Sequence, residues 1–212
     1  QPKHIPMFSF QEFSSLLFGR NRKRLNRFYL KRFNDCSKLH TQIVTNRFSD
    51  IIKSMVEIHN SVAKVYEENK ETLEIFECLD EFSDTQNFCD HYGFDIEDSC
   101  NAILIKAKKP EEFYAMFCVL GANRLDVNHK AKVAMGAKRV SFASREEAET
   151  VTGQLYGGIS PLGLPENVKV YIDKNVTDRE KLFIGAGNRV SKFFLSPKAL
   201  IQLSSATVLD LT

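Results

Sequence analysis

The sequence predicts an α+β fold, a compact mixed sheet with helices, preceded by a helical N-terminal region. Over the first 68 residues, apolar side chains recur at three- and four-residue steps, which is the spacing of an amphipathic helix. From residue 69 onward, short apolar runs and helix caps follow one another irregularly. Regular alternation of strands and helices would favour a parallel sheet, so this irregular order favours an α+β domain. We therefore expect a helical extension over 1–68 and one domain over 69–212.

The N-terminal region contains three predicted helices. The run Ser9-Phe10-Gln11-Glu12 is a capping box, because its serine hydroxyl and its glutamate carboxylate can bind free N–H groups at a helix start. A second helix is predicted over 21–34 and a third over 41–68. The apolar stripe of the third helix is long enough to pack against a second copy of the chain. A homodimer through the N-terminal helices is therefore one interpretation.

The domain that follows contains strands and capped helices. The strands are expected over 73–76, 102–107, 114–120, 139–142, 168–172, 182–184, 192–195 and 207–211. The helices are expected from their end signals, which are Asp84 with Gly93, Asp126 with Gly136, the capping box at Ser144 with Gly153, and Ser196-Pro197.

Composition excludes several classes of protein. Of the 212 residues, 43% are hydrophobic and 26% are charged, which excludes wholesale disorder. The sequence contains no stretch of 18 apolar residues, which a transmembrane helix would require, and its first residues lack the layout of a signal peptide. The five cysteines form no C-x-x-C pair, which favours reduced thiols in a cytoplasmic protein and gives no basis for a metal site.

Charge is unevenly distributed along the chain. The formal net charge is +7 over residues 1–60, −10 over 61–100 and +5 over 101–212. The side chains of Arg20, Arg24, Arg27 and Lys31 lie on one side of the predicted helix 21–34. Such a side can bind the phosphate backbone of a nucleic acid. The alternative is a solvated face on a structural helix, which the frequency of such helices and the small overall charge favour.

The most informative segment is the run from Thr152 to Gly163, Thr-Gly-Gln-Leu-Tyr-Gly-Gly-Ile-Ser-Pro-Leu-Gly. Glycines let a backbone approach a ligand closely, and successive N–H groups can then bind an anion or a carbonyl oxygen. A glycine pair alone has low specificity and more often marks a structural loop. The complete string, however, resembles the signature T-G-x-x-x-G-G-[IV]-S-P-[LF]-G of the YbaK-type Cys-tRNA deacylases and the prolyl-tRNA-synthetase-associated editing domains.

The resemblance extends over roughly residues 70–212. Leu125-Asp126 and Gly136-Ala137-Lys138 resemble the family's helix and turn, and Ile172-Asp173 resembles its strand that ends in aspartate. Ile184-Gly185-Ala186-Gly187 resembles its second glycine turn, and Leu195-Ser196-Pro197 the start of its closing helix. Residues 1–65 lie outside the resemblance.

The resemblance implies a trans-acting deacylase that hydrolyses the ester between a wrong amino acid and the 3′ end of a tRNA. It implies that the reaction needs no metal and no cofactor. It also implies that N–H groups of the glycine loop polarise the carbonyl oxygen of the ester, while a ribose hydroxyl and water carry out the attack. The implied catalytic residues are Gly157, Gly158, Ser160 and Asn101. The implied substrate-binding residues are Thr152, Gly153, Ile159, Pro161, Asp173, Gly185 and Gly187. For Asp173, a carboxylate that caps a turn at a strand end is an equally good interpretation.

One position departs from the family. A lysine in the context Lys-Thr-Leu precedes the first core strand of the family and binds the terminal nucleotide. Here Asn101 and Ala102 stand at the first two positions of that motif. An amide donates a hydrogen bond but carries no charge. Lys106 lies five residues on and therefore on the opposite face of a strand. The alternative to an enzyme is thus a catalytically impaired paralogue that acts as a tRNA-binding or regulatory module.

Overall fold

The computed structural model describes residues 58–212. The helices of this part are α1 (Asn60–Glu68), α2 (Thr85–Tyr92), α3 (Lys132–Ala134), α4 (Arg145–Thr152) and α5 (Pro197–Ser204). Short 3₁₀ turns lie at Asp80–Phe82, Ile96–Asp98 and Lys174–Asp178. Among these residues, no helix has both the length and the apolar character that crossing a bilayer requires.

Within residues 58–212, eight strands form two sheets. The strands are β1 (Glu74–Glu77), β2 (Cys100–Lys109), β3 (Phe113–Leu120), β4 (Arg139–Phe142), β5 (Lys169–Asp173), β6 (Leu182–Gly185), β7 (Ser191–Leu195) and β8 (Thr207–Leu209). The smaller sheet is antiparallel in the order β1-β7-β6. The larger sheet has the order β4-β2-β3-β5-β8, with antiparallel pairs at its β4 end and parallel pairs at its β8 end. The predicted α+β class with a mixed sheet is confirmed.

Local sequence signals set the ends of the helices. Asp84 precedes α2, and Gly93 ends it in the left-handed conformation. Both hydrogen bonds of the predicted capping box are present at the start of α4, between Ser144 and Glu147, and Gly153 ends that helix. These ends agree with the prediction because caps act within four residues and need no tertiary partner.

One helix prediction differs from the structure in its extent, and another is confirmed at its cap Asp126 and its end near Gly136 but differs in helix type. The helix predicted over 41–68 does not continue through residue 59, because His59 is extended and its ring accepts a hydrogen bond from the N–H of Ser61. The helix begins at Asn60 instead, and the part predicted before residue 58 lies outside the described residues, as do the helix at 21–34 and the capping box at 9–12. The segment after Asp126 begins with a wider, π-helical turn over Val127–Ala131, which α3 continues for only three residues.

An aromatic cluster joins the smaller sheet to α2. The ring of Phe76 lies 5.4–5.9 Å from the rings of Phe88, Phe94 and Phe194. Phe88 also contacts Phe183 of β6 at 5.1 Å. Since burying one phenylalanine contributes about 1.5–3 kcal/mol, the cluster holds the start of α2 at a fixed place beside β6 and β7.

Helix α1 packs on the core of the domain. Its Val62 is fully buried, and the ring of Tyr66 stacks on Phe193 of β7 at 5.6 Å. The helix thus contributes to the domain from before residue 69. The boundary between 68 and 69, and the helical character of what precedes residue 58, stay predictions.

Candidate active site

Two glycine turns pack against each other at the end of β6. A Cβ atom on Gly158 would lie 1.7 Å from the carbonyl oxygen of Asn188, and one on Gly185 would lie 2.3 Å from the carbonyl oxygen of Gly158. The N–H of Gly187 donates to the oxygen of Gly158 at 2.8 Å, and the N–H of Leu155 donates to the oxygen of Gly187 at 2.9 Å. The contact between the turns therefore excludes any side chain at Gly158 and Gly185.

Buried polar side chains hold the shape of the loop from inside. The side chain of Gln154 donates to the oxygen of Leu162 at 2.9 Å and accepts from the N–H of Ser160 at 2.6 Å. The hydroxyl of Ser160, fully buried, accepts from the N–H of Leu162. Thr152 bonds to Ala148 of α4 and to the N–H of Gln154. Thr152 and Ser160 thus stabilise the loop, and Gln154, which the motif does not specify, links its two ends.

The backbone N–H groups at the tip of the loop differ in their availability. The N–H of Gly158 donates to the oxygen of Leu155 at 3.1 Å. Within residues 58–212, the N–H groups of Gly157 and Ile159 have no hydrogen-bond acceptor. Gly157 is exposed and Ile159 is half-buried. Two unpaired donors on either side of a fixed glycine can bind an oxygen that gains negative charge.

An arginine from the second glycine turn lies against this tip. A Cβ on Gly157, whose φ is +84°, would lie 2.2 Å from Nη1 of Arg189. Gly157 is thus required by its backbone conformation, whereas the guanidinium is the far end of a flexible side chain that can move aside. Arg189 also forms ion pairs with Asp80 and with Asp84. The hydrogen bond to Asp80 raises the pKa of Arg189, so the side chain stays charged.

Asn101 lies at the beginning of β2, which the parallel bridge between Ser99 and Phe183 places beside β6. Its side-chain oxygen accepts hydrogen bonds from the hydroxyls of Thr85 at 2.9 Å and Ser99 at 3.1 Å. Lys106 contacts a different helix: its Nζ lies 2.7 Å from the carboxylate of Glu147 in α4. Lys106 therefore does not take the place of a lysine at position 101, in agreement with strand alternation.

A family model identifies the fold that carries this loop. The model for the aminoacyl-tRNA editing domain matches residues 80–203, more than half of the chain. The chain belongs to the aminoacyl-tRNA editing domain family. The predicted resemblance is confirmed, and the matched range contains both glycine turns and Asn101.

Individual relatives of this editing domain agree with the family model. A protein of Enterococcus faecalis assigned as a Cys-tRNA(Pro)/Cys-tRNA(Cys) deacylase is 28% identical over 92 residues, which are 43% of this chain and 56% of the relative. The proline–tRNA ligase of Nautilia profundicola is 34% identical over 106 residues, 49% of this chain and 18% of the ligase. The chain thus spans about half the length of the first relative and a small part of the second.

Solved structures share the fold. The crystal structure of a protein assigned as a trans-editing enzyme for prolyl-tRNA synthetase aligns with a TM-score of 0.63 at 23% identity, over 74% of this chain and 99% of the other. The structure of a hypothetical protein aligns with a TM-score of 0.65 at 20% identity, over 72% of this chain and 99% of the other. At these identities the likeness concerns the fold alone.

The editing domain contains a buried lysine that sequence reasoning missed. Lys192 of β7 is only 6% exposed, and its Nζ donates to the carbonyl oxygen of Ser83 at 2.7 Å. Burial lowers the pKa of Lys192. Ser83 and Thr85 flank the start of α2, so Lys192 and Asn101 contact the same short segment from two different sheets. The one sequence feature that could have indicated a buried lysine is its position beside the apolar residues of strand β7.

The remaining predicted site residues have the following places. Gly185 and Gly187 lie against the loop, Pro161 is buried within it, and Gly153 ends α4. The buried carboxylate of Asp173 accepts hydrogen bonds from Asn175, from the N–H of Leu211 and from Thr212. These contacts are those of a strand-end cap, and they close the C-terminal end of the chain around β5.

Two further expectations concern metals and basic residues. Among residues 58–212, no group of three or more His, Cys, Asp or Glu side chains could hold a metal ion. Arg20, Arg24, Arg27 and Lys31 lie outside the described residues, so their proposed contact with nucleic acid stays a prediction.

Proposed function

We propose that this editing domain acts in trans as a deacylase, hydrolysing the ester that links a wrong amino acid to the 3′ end of a tRNA. The observation that carries the proposal is the pair of unpaired N–H groups at Gly157 and Ile159 on either side of the fixed Gly158. The family supports the same reaction, and one relative bears the name of a Cys-tRNA deacylase.

The loop would act on the ester carbonyl. When water adds to that carbon, its oxygen becomes an oxyanion, and two backbone donors stabilise this charge without having to reorganise. The carbon–oxygen bond to the ribose then breaks, and the amino acid leaves as a carboxylate. Of the two protons of the attacking water, one ends on the ribose oxygen and the other is released to solvent. Because the contacts of Gly158 and Gly185 fix the loop, the donors are in place before the substrate binds.

The charge near the site differs from the family pattern. Asn101 offers an amide whose oxygen already accepts two hydroxyl hydrogens, so its NH₂ group is the part free to donate to the substrate. The charge of Arg189 is balanced by Asp80 and Asp84. Affinity for the tRNA phosphates must therefore come largely from elsewhere, and we propose that the basic residues Arg20, Arg24, Arg27 and Lys31 supply it.

Location and assembly are part of the proposal. The four cysteines within residues 58–212 are free thiols, which supports a reducing compartment such as the cytoplasm. A homodimer through the N-terminal helices remains a proposal that rests on the apolar stripe of residues 41–58.

A second function is favoured by one observation. Asn101 brings no positive charge to the site, which favours a module that binds tRNA or regulates a partner without hydrolysis. Asn101→Lys discriminates between the two functions. An enzyme with an intact loop gains activity or keeps it, whereas a module that has lost its chemistry stays inactive with the lysine restored.

The test of the proposed function is release of amino acid from tRNAs mischarged with Ala, Cys, Ser, Thr and Pro. Wild type, Gly158→Val and Asn101→Lys are compared in the presence of a chelator. We expect wild type to deacylate at least one of the five, and Gly158→Val to deacylate none. If wild type and Asn101→Lys both bind tRNA but neither releases an amino acid, the proposal is overturned in favour of the binding module.

A further inference from the structure

Two large apolar side chains are exposed beside the glycine loop. Leu155 is 49% and Tyr156 is 50% exposed, directly before Gly157. The residues that follow, from Gly158 to Leu162, are buried or half-buried. The fold thus packs the rest of the loop and leaves an aromatic ring in solvent at the point where the unpaired N–H groups begin.

Tyr156 is held in position by helix α4. Its N–H donates to the carboxylate of Glu149 at 3.1 Å, and the same carboxylate pairs with Arg145. The guanidinium carbon of Arg145 lies 5.9 Å from the centre of the tyrosine ring. The hydrogen bond holds the backbone of Tyr156, and the guanidinium lies over one face of its ring. Within residues 58–212, no other aromatic ring stacks on Tyr156.

The position of this ring fits the chemistry of the substrate. The ester sits on the ribose of the last nucleotide, so the base of that nucleotide lies within one nucleoside of the carbonyl carbon. Consecutive Cα atoms are about 3.8 Å apart, which places Tyr156 within about 8 Å of Gly158 along the backbone. A carbonyl bound at the loop tip therefore brings the terminal base within reach of the tyrosine ring.

We propose that Tyr156 is the platform on which the 3′-terminal base of the tRNA stacks. The inference rests on the proposed function and adds a specific contact to it. Single-stranded RNA ends are bound by stacking unpaired bases on aromatic rings, since every base has a π-face. The stacked base then fixes the ribose, and with it the ester, over the donors of Gly157 and Ile159.

The experiment measures equilibrium binding of the full chain to two uncharged RNA hairpins. One has a single-stranded 3′ end that terminates in adenosine, and the other has the same end with an abasic terminal ribose. The variants are Tyr156→Ala and Tyr156→Phe, which removes only the hydroxyl. The control is Phe113→Ala, which removes another exposed aromatic side chain at the opposite end of β3 from Asn101. Val119 pairs with Asn101, and Phe113 lies six residues away from Val119.

We expect Tyr156→Ala to weaken binding of the adenosine-ended hairpin by about 5- to 150-fold, the range that loss of one stacked base gives. Tyr156→Phe and Phe113→Ala should bind it as wild type does, and the abasic hairpin should bind wild type and Tyr156→Ala equally. Equal binding of the adenosine-ended hairpin by wild type and Tyr156→Ala would overturn the inference. So would an equal loss on both hairpins.

The result is independent of hydrolysis. Because neither hairpin carries an amino acid, failure of the deacylation assay would count against the proposed function and leave the binding comparison interpretable. Wild-type deacylation together with equal binding by Tyr156→Ala would instead keep the proposed function and reject the platform.

Discussion

Gly158→Ala isolates the contact between the two glycine turns. The alanine Cβ would lie 1.7 Å from the oxygen of Asn188, whereas real Cβ contacts essentially never fall below 3.0 Å. The two turns must therefore separate by about 1.3 Å. The obstacle is a backbone carbonyl, so no side-chain rotation can relieve the clash.

The cost can be estimated from the bonds that this separation disturbs. Overpacking of a well-packed site costs about 1–3 kcal/mol. The hydrogen bond from Gly187 to the oxygen of Gly158 crosses the opened contact, and its loss adds about 1 kcal/mol. We expect a loss of about 2–4 kcal/mol in the free energy of unfolding, which a domain with about 5–15 kcal/mol survives. Because the loop donors move by about 1 Å, deacylation should fall about 100-fold.

The assay combines urea unfolding, followed by circular dichroism, with deacylation of the tRNA that wild type prefers. Gly136→Ala is the matched control, because Gly136 has a φ of +60° but open space around its Cβ. It should lose about 1–2 kcal/mol of stability through backbone strain and keep full activity. Gly158→Ala with wild-type stability and wild-type activity would refute the packing argument. Equal activity losses in both variants would show that stability alone accounts for them.

Two further predictions concern charged residues. Burial lowers the pKa of Lys192 below its ordinary 10.5, so its desolvation cost is present at neutral pH and is relieved as pH rises toward 10.5. Lys192→Met removes this term, so its stability relative to wild type should decline over that alkaline range in urea titrations. A constant difference would contradict the buried charge. Lys130 and Lys174 lower the pKa of Asp210 to about 2. The stability that this carboxylate contributes is therefore present above pH 3.8 and is lost as pH falls through about 2. Asp210→Asn should therefore destabilise at pH 7 and match wild type near pH 2, whereas a deficit unchanged by acid would argue against the ion pairs.

The parts of the fold that sequence predicted are those set by neighbouring residues. The capping box at Ser144, the stop at Gly153 and the start at Ser196-Pro197 each depend on contacts within a few residues. The extended conformation of His59 escaped prediction because the apolar stripe of the predicted helix leads directly up to it. Nothing in that periodicity marks an extended residue whose ring caps α1.

The sequence predicted which segment forms the candidate site but not the three-dimensional contacts within it. The glycine string identified the loop, yet the reason for Gly158 lies in Asn188, thirty positions further along the chain. Arg189 pairs with Asp80 at an even larger separation, and a single sequence contains no signal for such a pairing. The loss of a lysine at Asn101 was readable from the motif, whereas its two hydroxyl partners required coordinates.

The most direct test of the central claim is the rate of amino acid release from mischarged tRNA in a single turnover, with the chain in excess and a chelator present. The account predicts release from at least one of the five mischarged tRNAs, well above spontaneous hydrolysis and about 100-fold slower with Gly158→Ala. The account would be contradicted if the chain binds the tRNAs but all five mischarged tRNAs lose their amino acid only at the spontaneous rate.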